Sequence, residues 1–261
     1  MRNDLSGNVT GSVVQAGTVY GGVHIAAVTD APPPWQLPSA GRLTDRASEL
    51  AALDVCRDTS ARSGLPTLAA VSGLGGVGKT VLALSWLHGL RAEFPDGQLY
   101  ADLRAQSPGG APGDPMEVLG RFLRALGVPP GRIPQAADER MTLYRSVTAT
   151  RRLVVLLDDA ATAAQVRPLL PGGQNVAVVT SRYRLPGLSV DGGYPLHLEP
   201  LDMDAAVELL AVTLADDRVE AQLGDARDLV RLCAGLPLAV RLAGARLAAR
   251  PRRRITVMVR E

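Results

Sequence analysis

Short runs of apolar residues alternate with longer segments whose apolar positions recur every three or four residues. Pro66 to Val71 reads as a buried strand, and Val81 to Leu90 continues as a helix with an apolar face. Gln98 to Leu103 is a second strand. Asp114 caps and Pro115 opens a helix to about Leu126, and another runs from Ala137 to Ala149. Leu153 to Leu157 is wholly apolar and stops at Asp158-Asp159. Val176 to Thr180 is a further buried strand, and Tyr194 to Leu198 suits a sheet edge. Thr44 is placed to cap a helix from Asp45 to Arg62, with Leu50, Leu53 and Val55 or Cys56 facing inward. From Asp202 onward the pattern is helical only, over 203–215, 219–234 and 237–249. Strand and helix in alternation, then helices alone, predict an α/β fold: a doubly wound parallel sheet followed by a small helical subdomain.

The first 30 residues follow another rule. Gly7-x-Val9-x-Gly11-x-Val13 recurs ten positions later as Gly17-x-Val19-x-Gly21-x-Val23. Valines on a period of two make this a β-prone arm, which needs a sheet to join or copies of itself to stack on. The expected organisation is therefore an arm over 1–30, a proline-rich linker over 31–43, a phosphate-binding α/β domain over 44–200, a helical lid over 201–249 and a basic tail over 250–261.

Composition sharpens this picture in three ways. Hydrophobic residues make up 46% of the chain but aromatics only 3%, so the core is built of Ala, Leu and Val. The net charge of +2 hides a tail with five arginines and one glutamate, which leaves the rest slightly acidic and argues against a general nucleic-acid binder. The tail itself reads as a solvated end or a truncation, with contact to nucleic acid or acidic lipid as the alternative. Cys56 and Cys233 lie far apart and read as small core residues, and His24, His88 and His197 lack metal-ligand spacing. Neither a signal peptide nor a membrane-length apolar run is present, so a cytoplasmic location and no membrane partner are expected.

Lys79 is the only lysine in the chain, and it sits in Gly73-Leu74-Gly75-Gly76-Val77-Gly78-Lys79-Thr80. The stretch reads G-x-x-x-x-G-K-[ST], the phosphate-binding loop, and it follows a strand and opens a helix as the motif requires. Glycines let successive amides face an anion, and a thin-stemmed ammonium reaches the outer phosphates where a guanidinium fork would not fit. Candidate nucleotide contacts are Gly73, Gly75, Gly76, Val77, Gly78, Lys79, Thr80 and Val81, with the Thr80 hydroxyl a candidate Mg²⁺ ligand. Asp158, ending an apolar strand, is the second candidate metal ligand. Asp159 either orients an attacking water or caps the next helix. Lys79, Asp158 and Asp159 are thus the candidate catalytic residues. Arg182, after a buried strand, is placed to sense a γ-phosphate, and Pro237 either covers the nucleoside or makes a helix–helix turn.

In order, GLGGVGKT, LLDDA, VVTSR and GLPLA resemble the NB-ARC module of STAND-class signal-transduction ATPases, over about residues 36–249. Leu43-Thr44-Asp45-Arg46-x-x-Glu49-Leu50 is similar to the family's F-x-G-R-x-x-E-L segment, with Asp45 in place of glycine. Phe94 to Tyr100, Leu126 to Pro130 and Gln165 to Pro171 are similar to actinobacterial members, including parts of SARP-type antibiotic regulators. The resemblance implies a switch held closed by ADP and opened for self-association by exchange to ATP, with hydrolysis slow at most. The usual winged-helix and repeat segments do not follow here; the pattern stops near Ala249, as if truncated. Val13-Val14-Gln15-Ala16-Gly17 is similar to amyloid signalling motifs of the RIP homotypic type, which implies an effector sharing the motif; a flexible extension or an extra hairpin is the alternative. Two other functions are carried forward: an assembly scaffold with a vestigial nucleotide site, and a transcriptional regulator of the SARP type.

Overall fold

A computed structural model describes residues 32–103 and 113–260; the glycine–valine arm and His24 lie outside the described residues. Residues Pro33–Glu261 form one compact unit. Five parallel strands, β1 (Thr67–Gly73), β2 (Gly97–Asp102), β3 (Leu153–Asp158), β4 (Val176–Ser181) and β5 (Tyr194–Leu198), make one sheet in the order β2-β3-β4-β1-β5. The helices are α1 (Ala47–Arg62), α2 (Lys79–Gly89), α3 (Pro115–Ala125), α4 (Ala137–Ala149), α5 (Ala163–Val166), α6 (Pro186–Val190), α7 (Met203–Leu214), α8 (Arg218–Ala221), α9 (Leu223–Leu232), α10 (Pro237–Ala248) and α11 (Ile255–Val259).

Both faces of the sheet are covered, which is why its strands are continuous apolar runs and not alternating ones. Leu153, Val155 and Leu157 of β3 pack with Phe122 and Leu123 of α3 and Tyr144 of α4. Val154 and Leu156 turn to the other face, against Leu53 of α1 and Leu82, Trp86 and Leu87 of α2. All five β3 core residues are fully buried, and truncating any one to alanine costs about 2–4 kcal/mol. A third core, from Leu209 and Leu210 of α7 to Val240 and Leu247 of α10, closes the helical part.

The chain departs from its pattern at four places. Thr44 does not cap α1: Arg46 occupies that position without a side-chain cap, and Asp45 before it has φ 48°. Val55 points to solvent at 64% exposure, so of the two alternatives it is Cys56, half-buried, that joins Leu50 and Leu53 on the inward side. The helix expected over 219–234 is broken at Gln222 into α8 and α9. The stretch expected as a linker is a strap in which Trp35 bridges Gln98 in parallel: Gln98 N–H donates to the Pro34 carbonyl at 2.6 Å, and Gln36 N–H donates to the Gln98 carbonyl at 2.9 Å. Arg91 stacks over the Trp35 ring, 4.2 Å from its centroid.

The basic tail is not wholly a solvated end. Ile255 of α11 is fully buried against the helical core. The buried Arg218 fixes the turn before it, donating to the carbonyls of Leu247 (3.1 Å), Arg250 (3.2 Å) and Arg253 (2.9 Å) while pairing with Asp216 at 2.6 Å.

Candidate functional site

Gly73 ends β1 and the loop turns through Gly76 (φ 78°) and Gly78 (φ 102°) into α2. These are left-handed values that a Cβ would strain, and they turn the backbone inward. α2 has no side-chain cap, so the amides of Lys79, Thr80 and Val81 at its start have no intrahelical partner and face the loop's hollow. Lys79 is only 9% exposed and curls back, donating to the carbonyls of Gly73 and Leu74, both at 2.9 Å. Burial, and then the Arg182 cation, push its ammonium below the ordinary lysine range against the opposing pull of Asp159 and Asp158.

Asp158 at the end of β3 accepts from Thr80 Oγ1 at 2.8 Å and from Thr180 Oγ1 at 2.5 Å. The Thr80 hydroxyl and the Asp158 carboxylate, joined here by a hydrogen bond, are oxygen donors of the kind a magnesium ion takes. Tyr100 on β2 stands beside the same carboxylate; burial and then the negative charge of Asp158 push its phenol up to about 12.

Asp159 has φ 53°, and its N–H donates to Thr180 Oγ1 at 3.0 Å. It does not cap the next helix: Thr162 does, accepting from Gln165 N–H. Its carboxylate lies 3.9 Å from Arg182 Nε. Arg182 leans over Gly75, where an added Cβ would sit 3.7 Å from the guanidinium carbon. The structure thus brings Lys79, Thr80, Asp158, Asp159 and Arg182 to one end of the sheet.

Pro237 opens α10, as the helix-turn reading has it, and it also lines a cavity of about 250 Å³. The cavity is lined by Gly76 to Val81 of the loop and by Leu209, Pro237, Leu238 and Arg241 of the helical part. Leu43 and Arg46 close it from the segment before α1. Val77 lies beneath the loop, fully buried. The helical part touches the loop directly, since Leu238 N–H donates to the Gly76 carbonyl at 3.2 Å. Arg241 also donates to the carbonyl of Arg42.

Sequence reasoning missed Thr180, Arg46 and Arg241. Thr180 did carry a signal, being the polar residue at the end of an otherwise apolar strand. Arg46 donates to the Glu199 carbonyl at 2.7 Å and to the Val77 carbonyl at 3.4 Å, tying the leading segment to the loop and to the exit of β5. It also pairs with Glu49 at 2.7 Å. Burial alone would raise the Glu49 carboxyl, but hydrogen bonds from Ser48 and Arg46 hold it below the ordinary range.

No family model matches the chain. Regulatory protein AfsR of Streptomyces coelicolor is 46% identical over 199 residues, which are 76% of this chain and 20% of that protein. The chain therefore spans about a fifth of the length of this curated relative, 20%. Among solved structures, Cdc6p from Pyrobaculum aerophilum superposes with a TM-score of 0.57 at 17% identity, over 84% of this chain and 65% of its own. A STAND protein with a tetratricopeptide-repeat sensor from Pyrococcus horikoshii does so with a TM-score of 0.52 at 19% identity, over 79% and 30%. The strand order and the glycine loop at the end of β1 give the chain a doubly wound parallel α/β fold of the P-loop NTPase-like kind, similar in fold to these structures and related in sequence to AfsR over the part it matches.

Proposed function

We propose that the chain binds ADP or ATP with Mg²⁺ and works as a regulatory switch, its nucleotide state setting the posture of the helical lid and hence self-association. Hydrolysis is slow at most. One observation carries this reading: the same cavity is lined both by the phosphate loop and by Leu209, Pro237, Leu238 and Arg241 of the lid. A ligand there touches both parts, so it biases how they sit in proportion to its preference for each arrangement. In this assignment the amides of Gly76 to Val81 and Lys79 hold phosphates, Thr80 and Asp158 hold the metal, and Arg182 senses the γ-phosphate. Asp159 orients water, and Pro237 covers the nucleoside.

The likeness to a regulatory protein at 46% identity supports a regulatory role and favours, as second reading, a transcriptional regulator of the SARP type. The finer picture, an NB-ARC module whose arm templates a matching motif on an effector, rests on the sequence resemblance alone.

The test is to identify the nucleotide carried by freshly purified protein and to titrate ADP and ATP by calorimetry into wild type and Lys79→Ala. Saturable binding that Lys79→Ala abolishes supports the switch. Equally weak binding by both proteins hands the function to the scaffold reading. A gel shift at low and high salt decides the transcriptional one.

A further inference from the structure

The polar end of β4 clasps the turn by which the chain leaves β3. Thr180 Oγ1 donates to Asp158 Oδ1 at 2.5 Å and accepts from Asp159 N–H at 3.0 Å. The Thr180 carbonyl accepts from Ala160 N–H at 2.8 Å, and Ser181 Oγ donates to the Ala160 carbonyl at 2.7 Å. Thr180 and Ser181 are both buried, so bulk water does not compete for these bonds. The first two bonds need a hydroxyl, which offers a proton to the carboxylate and a lone pair to the amide at once.

A buried threonine finds hydrogen bonds wherever it lies, so satisfaction alone assigns no role. Thr148, also buried, turns its hydroxyl to backbone: it donates to the Tyr144 carbonyl at 2.8 Å and accepts from Gly172 N–H at 2.9 Å. Thr180 instead donates to a carboxylate, and a bond to a charged acceptor is the stronger kind. The same oxygen also meets Thr80 of the phosphate loop. The amide that Thr180 engages belongs to Asp159, whose φ of 53° a residue with a Cβ keeps only when its surroundings impose it. One hydroxyl thus fixes the Asp158 side chain and the peptide that follows it. Two residues on, Arg182 Nε lies 3.9 Å from the Asp159 carboxylate, so the clasp also sets the spacing between the arginine and both acids.

On the reading of Thr80 and Asp158 as magnesium ligands, on which this rests, we propose that Thr180 is the positioning residue of that site. It acts through Asp158, holding the carboxylate in the orientation in which it and Thr80 take the cation together, and needs no contact of its own with metal or nucleotide. The test is calorimetric titration of the non-hydrolysable β,γ-imido analogue of ATP into the full chain, in EDTA and over a series of magnesium concentrations. Wild type is compared with Thr180→Val, which keeps the shape and loses the hydroxyl, and with Thr180→Ser, which keeps the hydroxyl. Thr180→Val is expected to need about tenfold or more magnesium for half-maximal strengthening of binding, while its affinity in EDTA stays within about twofold of wild type. Thr180→Ser is expected to restore the wild-type magnesium requirement. Should the valine variant not fold, Thr180→Ala, smaller and equally unable to hydrogen-bond, takes its place under the same expectations. An unchanged magnesium requirement in the hydroxyl-free variant overturns the proposal. So does a loss of binding that is equal with and without the cation, which is the mark of a merely structural threonine. Wild-type binding that magnesium does not strengthen overturns the metal reading itself and this proposal with it, so the wild-type titration alone tells the two failures apart.

Discussion

Thr80 and Asp158 meet at 2.8 Å although the strands that bring them there, β1 and β3, are not neighbours. β4 lies between, and its Thr180 bonds the same carboxylate oxygen, so three elements converge on one atom. If that oxygen is a metal ligand, Asp158→Asn keeps an acceptor for both hydroxyls but loses the charge that holds a divalent cation. Nucleotide binding should then lose its dependence on Mg²⁺, with affinity in saturating Mg²⁺ falling about tenfold or more while the melting midpoint stays near wild type. Titration with and without the cation reads this directly, and retention of full Mg²⁺ stimulation would remove Asp158 from the metal site.

Lys79 is held in an environment that disfavours its charge, first by burial and then by Arg182. Because its folded value lies below the unfolded one, the protonated form costs stability at neutral pH. That cost is relieved as pH rises from the lowered folded value to the ordinary amine value of about 10.4. Lys79→Met should therefore raise the melting midpoint at pH 7 by about 1–3 °C, even as it abolishes nucleotide uptake. The gap between variant and wild type should narrow in alkaline buffer. A midpoint that falls in the variant contradicts this account.

Asp45 stands where the resembling family has glycine, and its φ of 48° is the reason glycine suits that position. An aspartate tolerates the left-handed region better than most residues but still carries strain there. Asp45→Gly should add about 0.5 kcal/mol, the relieved strain less the extra freedom of glycine in the unfolded chain. Chemical denaturation measures it, and a loss of stability would mean that the Asp45 side chain makes contacts outweighing its backbone.

Hydrogen bonds from Arg218 hold the Asp216 carboxyl below the ordinary range. A lowered carboxylate value contributes stability fully above the unfolded value of about 3.9, and that contribution is lost as pH falls through the folded value. Asp216→Asn should lower the melting midpoint at neutral pH, and the difference from wild type should close in strongly acidic buffer. A difference that stays constant with pH would assign the effect to shape instead of charge.

Strands were legible because a parallel sheet buried on both faces needs unbroken apolar runs, and Leu153 to Leu157 has no other use. The phosphate loop was legible because its glycines and its lysine answer to one chemistry. What the sequence hid was pairing across distance. Arg46 reaches the carbonyl of Glu199 and Arg241 that of Arg42, and a backbone carbonyl leaves no mark on residue identity. The break at Gln222 has only Gly224, two residues on and itself helical, to announce it. The burial of Ile255 was masked by the arginines around it, whose carbonyls, not their charges, tie the turn to Arg218.

The strap at Pro34–Gln36 bears on how copies of this chain avoid one another. β2 is an outer strand, and an outer strand normally offers free amides and carbonyls to any extended peptide that drifts past. Here both backbone groups of Gln98 are already engaged by Pro34 and Gln36, and a proline offers no amide of its own. A foreign strand arriving at that point finds its docking rail taken. The protein thus carries its own guard against sheet-to-sheet aggregation there, and trimming the chain past Gln36 would remove it.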